Sequence, residues 1–237
     1  MKRRRLGQHY LSDPEVVRKM VASAQILPSD RIIEIGTGRG VLTRELADKG
    51  ASLAGYEVDR QNFAETTEAV RGTKARIYLA NAFRESPEFD VLVSSLPYSQ
   101  SAIFVEWLSG IGFNRAVVLL QEDFVEKLLS PPGERGYRGI SALAQISFDI
   151  KVLGRVDRQS FAPRPKVNSA IVSFTPKLRV SKAEASTIMR LFSLRRRQID
   201  SVLAELGMKR GRSYGERRVY SLRPEEVHEL CQSPGHQ

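Results

Sequence analysis

A chain of 237 residues suits one large domain, or one domain with a small appendage, and 41% hydrophobic residues are enough for a proper core. Its net charge of +10 favours a polyanionic partner, against the plainer reading of a basic soluble protein. The lone cysteine, Cys231, excludes an intrachain disulfide and fits a reducing cytosol, and His9, His228 and His236 are too scattered for a metal site, so no metal is expected.

No apolar run is long enough to span a bilayer. The start, MKRRRLGQHYL, is basic like a signal peptide but lacks the apolar segment that should follow. It reads as a solvated or RNA-contacting arm carrying Arg3, Arg4 and Arg5. A cytoplasmic monomer without membrane contact is the expectation.

Ser12-Asp13-Pro14 has the form of a helix start, and Val16, Val17, Met20, Val21 and Ala24 then recur at helical spacing. From Arg31 strands alternate with helices. RIIEI is an apolar strand, GVLTRELADKG a helix stopped by Gly50, and SLAGYEV a second strand. A helix over 61–70 leads to a third strand, ARIYLA. The fourth strand is DVLVSS, a helix covers 103–108, and RAVVLLQ is the fifth strand. Strands this apolar, joined by helices, predict an α/β fold with a mostly parallel sheet covered on both faces. ISALAQISF reads as a helix, and DIKVLGRV and SAIVSFTP as an antiparallel pair closing one edge.

After Thr175-Pro176 the alternation stops. Residues 179–237 hold twelve Lys and Arg against seven Asp and Glu, a net of +5 in a quarter of the chain. The predicted division is a main domain over 1–177 and a small, basic, helical RNA-binding domain over 178–237. Arg195, Arg196 and Arg197 open a predicted helix containing Ile199, Val202, Leu203 and Leu206, and Arg164 and Lys166 flank Pro165. These cations suit phosphate contacts on folded RNA, though any single arginine is more often a solvated charge.

The loop EIGTGRGVLT, residues 34–43, follows the first strand. Gly36, Gly38 and Gly40 let backbone approach a ligand where a Cβ would clash. The spacing is G-x-G-x-G and not the dinucleotide G-x-G-x-x-G. The second strand ends in GYEVD, so Glu57 arrives about 20 residues on, where a carboxylate can grip ribose hydroxyls, with Val58 beside it. Together these favour S-adenosylmethionine over a nicotinamide dinucleotide. Asp59 reads as a solvated turn residue. In LANAF, Asn81 and Ala82 end the third strand; Asn81 either accepts from an adenine amine or is a plain turn residue.

The fourth strand delivers Ser95-Leu96-Pro97-Tyr98 to the same end of the sheet. That set suits methyl transfer to a planar exocyclic amine, a poor nucleophile because its lone pair is delocalised into the purine. Acceptors at the amine's protons, from Ser95 and the Leu96 carbonyl, favour a pyramidal nitrogen, while Tyr98 stacks on the base. Such a base is turned out of its helix or taken from a loop.

With these motifs in view, nearly the whole chain resembles the rRNA adenine N6,N6-dimethyltransferase family, comprising small-subunit dimethyladenosine transferases and the related erythromycin-resistance methylases. LGQHYL resembles the family's GQ-H/N-F-L, and the resemblance implies that Gln8, His9 and Leu11 meet the cofactor's methionine end. EIGTGRGVLT resembles its E-I-G-x-G-x-G-x-L-T, and SLPY its N-L/I-P-Y. SFAPRPKVNSAIV resembles F-x-P-x-P-K-V-x-S-x-x-V and implies Phe161 as a second aromatic near the target base. QEDFVEKLLSPPGERGYRGISALAQ resembles the family's stretch around P-G-x-x-x-Y-x-x-L-S, and LFSLRRRQIDSVL its F-x-x-R-R-K-x-L. The resemblance implies a Rossmann-like class I methyltransferase fold with a small helical C-terminal domain, and S-adenosylmethionine as cofactor. It further implies dimethylation of adjacent adenosines in small-subunit rRNA, within ribosome biogenesis.

Two positions depart from the family. Asn81 stands where it has aspartate, and Ser95 where it has asparagine. They leave a second reading open, a ribosome-assembly factor that grips RNA and methylates slowly or not at all. DNA as substrate is a third, disfavoured by the C-terminal motif.

Overall fold

The computed structural model describes residues 9–49, 51–208 and 213–232. A two-residue strand, β1 (Tyr10–Leu11), precedes α1 (Pro14–Ser23), which Asp13 caps by accepting from the Glu15 N–H at 3.0 Å. Pro14 sits in the first turn, where its missing N–H costs nothing. Then follow β2 (Arg31–Ile35), α2 (Val41–Ala47), β3 (Ser52–Glu57), α3 (Arg60–Ala69), β4 (Arg76–Leu79), β5 (Val91–Ser95), α4 (Ser101–Ser109) and β6 (Arg115–Gln121). The Gly50 stop expected for α2 lies outside the described residues. Next come α5 (Glu122–Leu129), α6 (Gly139–Ser147), β7 (Phe148–Val156), β8 (Phe161–Ala162) and β9 (Ser169–Pro176), then α7 (Lys182–Ser193), α8 (Ile199–Glu205) and α9 (Pro224–Gln232).

The seven-stranded sheet runs β4-β3-β2-β5-β6-β9-β7. The pairs from β4 to β6 are parallel, β9 is antiparallel to β6, and β7 lies outside β9. The expected antiparallel edge is therefore present. Strand order reverses between β2 and β5, which opens a crevice at their carboxyl ends. Alternate residues explain the double burial. Ile32, Leu53, Val93, Leu119 and Ile171 share a core with Val17, Met20, Leu42 and Leu46 of α1 and α2. On the opposite face Phe104 of α4 meets Phe174 edge-on at 5.8 Å.

By packing, the chain forms two compact units. One takes 1–104, 112–122 and 149–176; the other takes 105–111, 123–148 and 177–237. The second unit thus recruits α5 and α6 to the C-terminal segment. Gly139 lets α6 approach α7 closely, since a Cβ there would stand 2.9 Å from the Met189 sulfur. Tyr137 packs edge-on against Phe192 at 5.3 Å. The helix expected to open at Arg195 begins instead at Ile199. The carbonyls of Arg195 and Arg197 accept from the Tyr220 and Val219 N–H groups at 3.0 and 3.1 Å, so 195–197 form a turn.

The end of α1 is tied to the sheet by Arg115 at the start of β6. Its guanidinium donates to the Ala24 and Gln25 carbonyls at 2.5 and 2.6 Å and to the Asp30 carboxylate at 2.5 Å. Asp30 is 6% exposed and also accepts from the Leu27 N–H at 2.8 Å. Asp30→Ala leaves both donors short of a buried acceptor and should lower the unfolding free energy by about 2–3 kcal/mol. Asp30→Asn, which keeps an acceptor, should cost less. Urea titration of the three proteins checks the order.

Candidate active site

The turn after β2 carries the glycine loop, and that after β5 carries Ser95-Leu96-Pro97-Tyr98. At Gly38 the backbone has φ +55°, and a Cβ would stand 3.2 Å from the Tyr10 ring, so both the conformation and the space favour glycine. The loop is held from β3. One Glu57 carboxylate oxygen accepts from the Gly38 N–H at 2.9 Å; the other accepts from the Val58 and Asp59 N–H groups at 2.8 and 2.9 Å. Two carboxylate oxygens offer about four acceptor positions, so one on the Gly38 side remains for a ligand. Asp59 does more than sit in solvent: it caps α3 by accepting from the Gln61 and Asn62 N–H groups.

Two adjoining cavities open here, sharing His9, Tyr10, Gly36, Gly38 and Ser95. Four more of the predicted cofactor residues, Glu57, Val58, Asn81 and Ala82, line the first cavity together with Leu96 and Pro97. Val58 presents an apolar side chain that is 58% exposed. Asn81 caps a short turn by accepting from the Phe83 N–H at 3.0 Å, so the turn role is real, and its amide also borders the cavity. The second cavity is bordered by Leu11, Glu34 and Arg39, whose guanidinium lies 4.7 Å over the Tyr10 ring. Glu34 is buried with one oxygen lacking a hydrogen bond. Burial pushes its carboxyl up to about 8, with Glu57 adding and the Thr43 hydroxyl opposing.

Tyr98 begins a short turn past β5. Its hydroxyl bonds the Ser169 hydroxyl at 2.8 Å, and its ring lies 5.7 Å from the His9 imidazole. Burial raises the phenol above its ordinary range, with Ser169 opposing. His9 in turn bonds the Pro163 carbonyl at 2.8 Å. Phe161, expected near a target base, is 4% exposed and pairs with Leu11 across the β1–β8 ladder, inside the core. Arg164 and Lys166 stand exposed after β8 with no ion-pair partner among the described residues. Gln8, Arg3 and Arg4 lie outside the described residues. Ser169 and Tyr10 are the residues that sequence reasoning did not assign here.

In the second unit, Arg195 and Arg196 border a hollow with Arg135, Arg218 and Tyr220. Partial burial, then Arg138 and Arg196, depress the Arg195 guanidinium. None of Arg135, Arg138, Arg195, Arg196 and Arg218 has a carboxylate partner among the described residues. Arg197 differs: it pairs with Glu205 at 2.6 Å and donates to Ser201 at 3.2 Å.

The strand order and the crevice at its reversal are those of a Rossmann-like, class I methyltransferase. Solved structures similar to it carry that fold: a dimethyladenosine transferase from Plasmodium falciparum (TM-score 0.79, 23% identity, 94% of this chain and 96% of that one) and the 23S rRNA methyltransferase ErmE (TM-score 0.69, 23% identity, 94% and 98%). A probable ribosomal RNA small subunit methyltransferase A from Pyrococcus abyssi is 32% identical over 240 residues, 95% of this chain and 89% of the relative. A model of the ribosomal RNA adenine dimethylase family matches residues 1–229, and the chain belongs to that family of rRNA adenine methyltransferases. No described helix is long and apolar enough to cross a membrane.

Glu34 gives a pH test of this geometry. Its folded-state value of about 8 lies above its ordinary 4.5. Between these, the folded chain holds a proton that the unfolded chain has lost, so raising the pH disfavours the fold. Glu34→Gln removes this term. Its Tm advantage over the wild type should widen from pH 5 to pH 8, as followed by circular dichroism.

Proposed function

We propose that this protein methylates the exocyclic amines of adjacent adenosines in small-subunit rRNA, using S-adenosylmethionine, to give N6,N6-dimethyladenosine during subunit biogenesis. The observation that carries it is that Ser95, Leu96 and Pro97 of the turn before Tyr98 line the same cavity as the glycine loop. The family membership and the name of the Pyrococcus abyssi relative support the small subunit as the source of the RNA.

The residues fit the cofactor. Glu57 has an acceptor position left for a ribose hydroxyl, Gly36 and Gly38 expose bare backbone, and the apolar Val58 side chain suits an adenine face. Asn81 and Ala82 stand where an adenine edge would be read, and His9 with Leu11 borders the region suited to the methionine end. When bound, the cofactor supplies an electrophilic methyl group on a sulfonium. The chain's part is to present the amine. The Ser95 hydroxyl and the Leu96 carbonyl accept hydrogen bonds from its N–H groups, which localises the nitrogen lone pair, and Tyr98 fixes the base plane by stacking. The nitrogen becomes acidic once alkylated, so solvent takes its proton and no general base is needed.

Arg164, Lys166, Arg195 and Arg196 are suited to RNA phosphates, since no carboxylate among the described residues pairs with them. Arg197, paired to Glu205, contributes less. Each phosphate contact releases counterions, so replacing Arg195 and Arg196 by alanine should weaken subunit binding. The slope of log affinity against log salt should flatten by about one unit per lost contact. Filter binding at several salt concentrations checks this; an unchanged slope would return both to ordinary surface charge.

Serine at 95 is shorter than the family's asparagine, so transfer should be slower but present. Weakening one transition-state hydrogen bond costs roughly 10–100-fold in rate. Ser95→Asn should raise the rate, Ser95→Ala lower it, and Tyr98→Ala nearly abolish it. Mass spectrometry of rRNA adenosines, after incubation with S-adenosylmethionine and undermethylated small subunits, reads the series. Binding of cofactor and subunit without any methylated adenosine would leave an assembly factor in place of the enzyme.

A further inference from the structure

Ser169 starts β9 opposite Gln121 of β6 and is fully buried. It belongs to a strand two places from the one that delivers Tyr98, yet the two hydroxyls lie 2.8 Å apart. The backbone around Tyr98 is fixed separately. The Tyr98 carbonyl accepts from the Ser101 hydroxyl at 3.0 Å, and the Pro97 carbonyl from the Gln100 N–H at 2.8 Å. These bonds set where the side chain begins. They leave the freedom of the half-buried ring about its two side-chain torsions to be limited by its neighbours, the His9 imidazole at 5.7 Å and the Ser169 hydroxyl. The bond at the far end removes that freedom.

We propose that Ser169 is a positioning residue for methyl transfer: through its hydrogen bond to the Tyr98 hydroxyl it fixes the plane and depth of the aromatic face on which the target adenine stacks. This rests on the stacking role given to Tyr98 above. The step is geometric. Stacking sets the height of the base, and the height sets the distance from the amine to the methyl donor, so a ring free to tilt spreads the reacting pair over unproductive distances. Ser169 itself touches neither base nor cofactor. A purely structural role would instead make the pair a buried polar contact whose loss lowers stability alone.

The test is a double-mutant cycle of Tyr98→Phe and Ser169→Ala. It is read by single-turnover methyl transfer to undermethylated small subunits at saturating S-adenosylmethionine, and by thermal unfolding of the free protein. Each single variant should lower the maximal rate about 5–10-fold, as expected for one lost positioning hydrogen bond, with the half-saturating subunit concentration unchanged. The double variant should be no slower than the slower single one, and Ser169→Thr, which keeps the hydroxyl, should recover most of the rate. A wild-type rate in Ser169→Ala, or a double variant slower by the product of the single effects, overturns the proposal. Should Ser169→Ala fail to fold, Tyr98→Phe decides: a wild-type rate there overturns it, and a slowed rate rescued by no change at 169 upholds it. An inactive wild type would remove the functional reading and the positioning role together. An active wild type without coupling removes only the latter.

Discussion

One buried carboxylate organises this molecule. Glu57 ends β3, and its oxygens gather three backbone N–H groups, from the glycine loop after β2 and from the turn that starts α3. Each donor would otherwise be a buried or half-buried orphan. At 4% exposure the carboxyl group is satisfied by these three N–H donors. The same contacts fix the distance between two parallel strand ends and leave an acceptor position facing the cavity. A structural knot and a ligand grip are here one group.

Glu34, about as buried, behaves oppositely. It has no donor for one of its oxygens and stands near Glu57, so burial keeps it protonated at neutral pH. Two carboxyl groups on neighbouring strands are therefore satisfied differently. The difference follows from how many N–H dipoles each one meets.

On the far side of the strand reversal, position is set by proline and by hydroxyls. Pro97 ends the β5 ladder, and Tyr98 is held by Ser101 at its backbone and by Ser169 at its ring tip. In the second unit the logic is charge. Arg135, Arg138, Arg195, Arg196 and Arg218 lack carboxylate partners among the described residues. Burial lowers the Arg195 guanidinium, and Arg138, Arg196 and Arg135 add to this by repulsion.

The sequence by itself determined the sheet and the cleft. Apolar strand runs, a G-x-G-x-G loop and an acidic strand end are local patterns, and parallel α/β connections leave few ways to join them. The boundaries of α1, β2 and β6 and the lining residues Gly36, Gly38, Glu57, Val58 and Ser95 were legible for that reason. Other features depend on residues far apart in the chain. The start of α5 directly after Gln121 carries no turn residue to mark it. The turn at 195–197 exists because Val219 and Tyr220 draw its carbonyls away from a helix. Phe161 is core because β8 pairs with β1, and Arg197 is neutralised by Glu205 eight residues on. Ser169 meets Tyr98 only because β9 returns antiparallel beside β6, which brings residues 71 apart in the chain to 2.8 Å. Pattern fixes what a segment is; the pairing of distant segments, which no local spacing encodes, decides what each side chain touches.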